Sequence, residues 1–202
     1  MNKELIQKFR ENVAIDDRVF YIYRNVNGKD HHGIICSAMD WIEVVINGIS
    51  IENLIQENPD ASSINVITFI SCVDILWEAI QQLYRVFYNE IPLREDKSVF
   101  KKNVSDNEYF KKIRACFAAH QVNLHQIYED DEEDERWFAS WSGDAFVEED
   151  FAVNLYSNIA GKKARTFKIR FDDLLRFAEK RYELLTNLIE KINQDIDDYN
   201  DE

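Results

Sequence analysis

Apolar residues recur at spacings of three and four along most of this chain, the period of a helix with one buried face. Leu5, Ile6, Phe9 and Val13 share a face of a first helix, over 2–13. Ile35, Ala38, Ile42, Val45, Ile46 and Ile49 do the same over 32–56, after a turn signal at Asn27-Gly28-Lys29-Asp30. Asn58-Pro59-Asp60 stops that helix, and Ser62 or Ser63 caps a third over 63–87. A fourth runs over 106–121 from a cap at Asp106, with Phe110, Ile113 and Phe117 as its stripe. Asp172 caps the last, where Leu174, Ala178, Tyr182, Leu185, Ile189, Ile192, Ile196 and Tyr199 keep the period without a break. Residues 19–26 read equally well as strand or helix.

The third helix is apolar around most of its circumference, which marks a central helix. Its polar positions Asp74, Glu78 and Arg85 therefore stand out, and Asp74 and Glu78, four apart, lie on one face. Strict alternation replaces the helical period at Phe151, Val153 and Leu155 and again at Phe167, Ile169 and Phe171. Gly161-Lys162-Lys163 lies between them, so the pattern predicts a β-hairpin at 151–158 and 165–171. The expected fold class is all-α (mainly α): a single helical bundle of about five helices with one small hairpin insertion, in one domain over 1–202.

Composition narrows this picture. Five glycines and two prolines among 202 residues exclude a collagen-like chain or flexible linker array and argue against a turn-rich sandwich. No apolar run approaches about 18 residues, so no membrane span is expected. The first residues lack the basic-then-apolar layout of a secretion signal. Cys36, Cys72 and Cys116 are far apart and form no C-x-x-C pair, which predicts free buried thiols rather than a zinc site or disulfide framework. The localisation that follows is cytoplasmic.

The net charge is −14, but it is unevenly spread. Residues 129–150 carry −10, including seven consecutive acids from Glu129 to Glu135, which leaves −4 for the rest. The acidic loop 129–136 is expected to be solvent-exposed and mobile, since adjacent carboxylates cannot be buried together without neutralisation. It is either a plain solvated loop or an internal guard competing with RNA for a basic groove. Residues 97–114 hold six bases against two acids, and 162–181 hold eight against three. A local phosphate-contacting surface is thus available, while overall nucleic-acid affinity is expected to be poor and DNA is not an expected partner.

Dinucleotide, P-loop, metalloprotease and serine-hydrolase motifs are all absent, and no cofactor is expected. His31 and His32 are adjacent beside a turn and read as solvated loop residues rather than ligands. His120 and His125 lie about 140° apart on a helix, so no joint metal site is expected.

The fourth helix carries Arg114 followed by five residues and His120. This resembles the R-x(4–6)-H motif of the HEPN superfamily, whose members are helical bundles and include many metal-independent RNA endonucleases. The chain departs from the family at Ala115, where a polar residue often follows the arginine. The resemblance implies an RNA-cleaving protein of toxin–antitoxin or antiviral defence type, with Arg114 and His120 catalytic. It also implies a homodimer that brings two motifs to one cleft, and an antitoxin protein as partner. His120, near pKa ~6.5 when unperturbed, would deprotonate a 2′-hydroxyl, and Arg114 would stabilise the charge that builds on phosphorus oxygens. Asp74 and Glu78 are supporting candidates. Lys101, Lys102, Lys111 and Lys112 are the candidate phosphate-binding residues. The alternative function is a non-catalytic helical protein-binding module on the same scaffold.

Overall fold

The computed structural model describes residues 1–15, 17–50, 54–119, 123–141 and 151–200. Helix dominates it, and a three-stranded antiparallel sheet accompanies the helices, so the chain is mainly helical without being a pure bundle. It divides into two compact units, neither continuous in sequence.

The first unit comprises Met1–Ile49, Val73–Leu93 and Ala178–Glu202. Its helices are α1 (Lys3–Ala14), α2 (Asp17–Tyr23), α3 (His31–Gly48), the later part of α4 (Pro59–Tyr88), the end of α6 (Phe171–Tyr182) and α7 (Leu185–Asn200). The predicted stripes face its core: Ile6, Phe9, Ile35, Ile42, Leu76, Ile80, Leu185 and Ile192 are each buried to 1% exposure or less. Residues 19–26 resolve to a helix as far as Tyr23, whose hydroxyl bonds Asp195 of α7 and whose ring meets Phe87 edge-on at 5.0 Å. Arg10 of α1 reaches Asp40 at 2.8 Å and Glu43 at 3.0 Å on α3. The buried Arg181 guanidinium lies 4.8 Å from the Trp77 ring centroid, a cation–π contact.

The second unit comprises Ser50–Cys72 and Arg94–Phe177. It contains the start of α4, then α5 (Asp106–Arg114), a π-helical turn (Ala115–Ala119), strands β1 (Trp137–Ser140), β2 (Phe151–Ser157) and β3 (Arg165–Ile169), and the start of α6. The strands pair in sequence order, with Val153 opposite Phe167 and Phe151 opposite Ile169. Phe151, Val153, Leu155, Phe167 and Ile169 are all buried, as alternation requires of a one-sided sheet. Aromatic rings fill this core: Phe177 stacks on Phe110 at 4.5 Å and on Phe100 at 5.4 Å, and Phe117 packs on Phe151.

Several expectations need correction. The hairpin exists but gains β1, four residues too short to show alternation. The last helix is two, because Leu184 and Thr186 donate to carbonyls three residues back and tighten the chain between α6 and α7. That split, together with α2, raises the helix number among the described residues above the expected five. α4 begins at Pro59 itself: proline suits the first helical position, where its missing N–H costs nothing, and Asn58 accepts from the Asp60 N–H at 2.9 Å. Ser62 is no cap; it is buried and ties back to the Gln56 backbone. The α5 cap is Ser105, which forms a capping box with Glu108. α4, 30 residues long, is apolar enough to cross a membrane by length and composition, which a count of uninterrupted runs does not register. Its Val66 and Ile70 are buried in the second unit, and its Val73 and Leu83 in the first.

Candidate functional site

α5 carries acids in its first turn and Lys111, Lys112 and Arg114 in its last, so both ends complement the helix dipole. At its first residue, the fully buried Asp106 carboxylate accepts from the Val99 and Phe100 N–H groups at 2.9 and 3.0 Å. That clamp fixes the loop bearing Lys101 and Lys102. Lys101 holds a left-handed φ of +53° and is exposed. Arg114 is half-buried and ends the α-helix. A π-helical turn follows at once, a form that recurs at functional sites, with the Ala115 N–H shared between the Lys111 and Lys112 carbonyls. The straight α-helix assumed between Arg114 and His120 therefore stops at Arg114. His120 lies outside the described residues. Cys116, inside the turn, is buried, and burial pushes its thiol up to about 12; Cys36 and Cys72, also free, are half-buried rather than buried.

Two of the four candidate phosphate-binding lysines share a pocket. It encloses about 310 Å³ in the second unit, and its lining includes Lys102, Tyr109, Lys112, Tyr128, Glu129 and Asp130. Lys102 sits 5.3 Å from the Tyr109 ring centroid, and that ring stacks on Phe167. Lys112 donates to the Ile127 carbonyl at 2.8 Å. Tyr128 lies under the Arg165 guanidinium at 4.5 Å. Its hydroxyl is sealed from solvent without a hydrogen-bond partner among the described residues, and burial raises it to about 12. Lys101 and Lys111 are exposed and do not line this pocket.

The acidic segment is not the uniformly solvated loop expected of it. Glu135 is fully buried, accepts from Ser157 Oγ at 2.8 Å and from the Glu132 N–H at 3.2 Å, and pairs with Lys162. Burial pushes its carboxyl up, but the Lys162 and Ser157 bonds outweigh burial and hold it below its ordinary value. Asp131 accepts from the Trp137 indole at 3.0 Å and from the Tyr128 N–H at 2.8 Å. Asp130 meets Arg165 with both oxygens, and those hydrogen bonds lower it to about 2. Glu129, Glu132, Glu133 and Asp134 are exposed, as the sequence suggests. The neutralisation that the buried Glu135 demands is supplied by Lys162 of the β2–β3 hairpin, while Arg165 pairs with the exposed Asp130.

Asp74 and Glu78 are brought together as predicted, but in the first unit, whereas Arg114 and the lysines belong to the second. They line a pocket of about 690 Å³ with Asp30, Ile34, Trp41 and Ile75 among others. Asp30 caps α3 there, accepting from the Gly33 N–H at 2.9 Å. Among the described residues no group of three or more His, Cys, Asp or Glu side chains gathers as a metal site.

No protein-family model, curated protein or solved structure matches the chain.

Sequence reasoning missed Tyr109, Tyr128, Asp130 and Arg165 as site residues. The excess of bases over 162–181 pointed toward Arg165. Nothing in spacing alone pairs it with an acid 35 positions earlier.

Proposed function

We propose that this chain is a HEPN-like RNA endonuclease of toxin–antitoxin or antiviral defence type, working without a metal ion through Arg114 and His120. The observation that carries the reading is the change of helix type after Arg114: the segment leading to His120 is π-helical at a place where an uninterrupted α-helix would be cheaper. Further support comes from Lys111 and Lys112 in the same helical turn as Arg114, and from the pocket that Lys102 and Lys112 share.

In this mechanism His120 removes the proton from a ribose 2′-hydroxyl. The oxygen attacks the adjacent phosphorus as the bond to the 5′-oxygen breaks, giving a 2′,3′-cyclic phosphate and a 5′-hydroxyl that takes its proton from solvent. Arg114 presents a planar fork of donors to the phosphorus oxygens as their charge grows. A homodimer would supply both pairs to one cleft, and an antitoxin protein would restrain the activity.

A second reading, the non-catalytic binding module, is favoured by the first unit's pocket of about 690 Å³ with its half-exposed Trp41. Expressing wild type beside His120→Ala and Arg114→Ala separates the two. Growth arrest with fragmented RNA, abolished by either substitution, is the result expected. Equal growth and intact RNA in all three would leave the binding module.

A further inference from the structure

The acidic segment is attached to the β2–β3 hairpin in two unlike ways. At Glu135 the carboxylate is fully buried and held by Lys162, Ser157 and a backbone N–H. At Asp130 the carboxylate is 67% exposed and meets the Arg165 fork. Burial makes the first contact an anchor, while solvent exposure leaves the second weak and salt-sensitive. The segment is therefore fixed at one end and exchangeable at the other.

The exchangeable end borders the pocket of Lys102, Tyr109, Lys112 and Tyr128. An arginine fork that takes a carboxylate with two parallel hydrogen bonds takes a phosphate in the same way. Lys102 and Lys112 add two cations on the pocket's wall. Two lysines thus line the space, and Arg165 stands at its border, paired with the lining residue Asp130.

We propose that this pocket binds a phosphodiester of single-stranded RNA through Lys102, Lys112 and Arg165, and that Asp130 holds the phosphate's place until RNA displaces it. The choice of RNA rests on the ribonuclease reading above; the phosphate chemistry does not. RNA binding would break the Asp130–Arg165 pair while Glu135 stays anchored, so the segment swings aside without unfolding.

The test is fluorescence anisotropy with a labelled single-stranded RNA of about 12 nucleotides and the full chain carrying His120→Ala, which prevents cleavage. In that background Asp130→Asn should tighten binding about fivefold or more at about 50 mM salt, and the gain should shrink at about 200 mM as screening rises. Adding Lys102→Ala should weaken the Asp130→Asn protein several-fold and lower the slope of log affinity against log salt by about one. Lys112→Ala should act alike, and because Lys112 also holds the Ile127 carbonyl, the exposed Lys102 decides the matter if that variant unfolds. Inorganic phosphate at millimolar levels should compete with the RNA. Asp130→Asn without tighter binding, or Lys102→Ala without loss, overturns the proposal. A protein that never cleaves RNA but shows the Asp130 and Lys102 effects defeats the ribonuclease reading and leaves this site standing. Cleavage without those effects does the reverse.

Discussion

Tyr182 of α6 inserts its hydroxyl into the first turn of α1: it donates to the Asn2 carbonyl at 2.7 Å and accepts from the Ile6 N–H at 3.0 Å. An α-helix joins residues i and i−4 directly, so this hydroxyl bridges the two groups that would otherwise meet. Chain ends usually fray. Here the N-terminal helix is tied to a residue 176 positions away, and the Met1 amino group reaches Glu179 at 3.5 Å beside it.

Tyr182→Phe removes that bridge while keeping the ring. A buried N–H then lacks its acceptor unless the helix shifts to restore the direct bond, which places the loss at about 1–2 kcal/mol. Urea denaturation should show it as a lower midpoint with an unchanged slope. Hydrogen exchange should show faster opening over 3–6 than elsewhere in α1. An unchanged midpoint would mean that the direct bond forms at no cost.

The Asp106 clamp makes a larger prediction. Asp106→Ala leaves two buried backbone N–H groups, of Val99 and Phe100, without acceptors, and about 2–4 kcal/mol should be lost. Asp106→Asn retains one acceptor oxygen and should lose less. Limited proteolysis should cut the alanine variant within 94–105, the loop that carries Lys101 and Lys102. Cleavage elsewhere first would show that the clamp does not govern this loop.

Much of the fold was legible because helical burial is periodic. Ile35 and Ile42, or Leu185 and Ile192, declare their shared faces by spacing alone, and both pairs are buried. What was illegible depends on partners far along the chain or on local geometry without a residue signature. Pro59 reads as a stop until the N–H it lacks is seen to be unneeded. β1 is visible only through its neighbour, since Trp137 and Ala139 take their register from Ser157 and Leu155. Glu135 looks like one solvated acid among seven until Lys162 and Ser157 close around it. At the candidate site, Lys102 and Lys112 line one pocket while Lys101 and Lys111 do not, and Asp74 and Glu78 fall in a different unit from Arg114.

Acid should loosen the second unit through the segment that pairs with the hairpin. Asp130 and Glu135 both have carboxyls lowered in the folded chain, Asp130 from 3.8 to about 2. A lowered carboxyl favours folding at every pH above its unfolded value and loses that contribution as pH falls through its folded value. Stability should hold level down to about pH 5 and decline from there toward about pH 2. The double variant Asp130→Asn, Glu135→Gln should be less stable at neutral pH and show a shallower acid decline, read from the denaturation midpoint at each pH. A parallel decline in both proteins would assign the acid sensitivity to other carboxylates.

The two glycines of α3 should respond in opposite directions to alanine. A Cβ built on Gly33 would stand 2.9 Å from Asp30 Oδ2 and 3.3 Å from its Cγ, so it collides with the side chain that caps the helix. The carboxylate is a terminal group and can rotate away, but only by giving up the Gly33 N–H it accepts at 2.9 Å. Gly33→Ala should therefore lose roughly the worth of an N-cap, about 1 kcal/mol, offset in part by alanine's better helix propensity. A Cβ on Gly48 meets nothing within 4 Å, and the residue lies within the last turn of the helix. Gly48→Ala should then stabilise the protein by about 0.5–1 kcal/mol, because it removes freedom only from the unfolded chain. Asp30→Ala supplies the control: once the cap is gone, Gly33→Ala has nothing to displace and should turn neutral or stabilising. Thermal melts of the three single variants and the Asp30→Ala, Gly33→Ala pair test this as a cycle, and additive losses in the pair would show that Gly33 matters for a reason other than the cap.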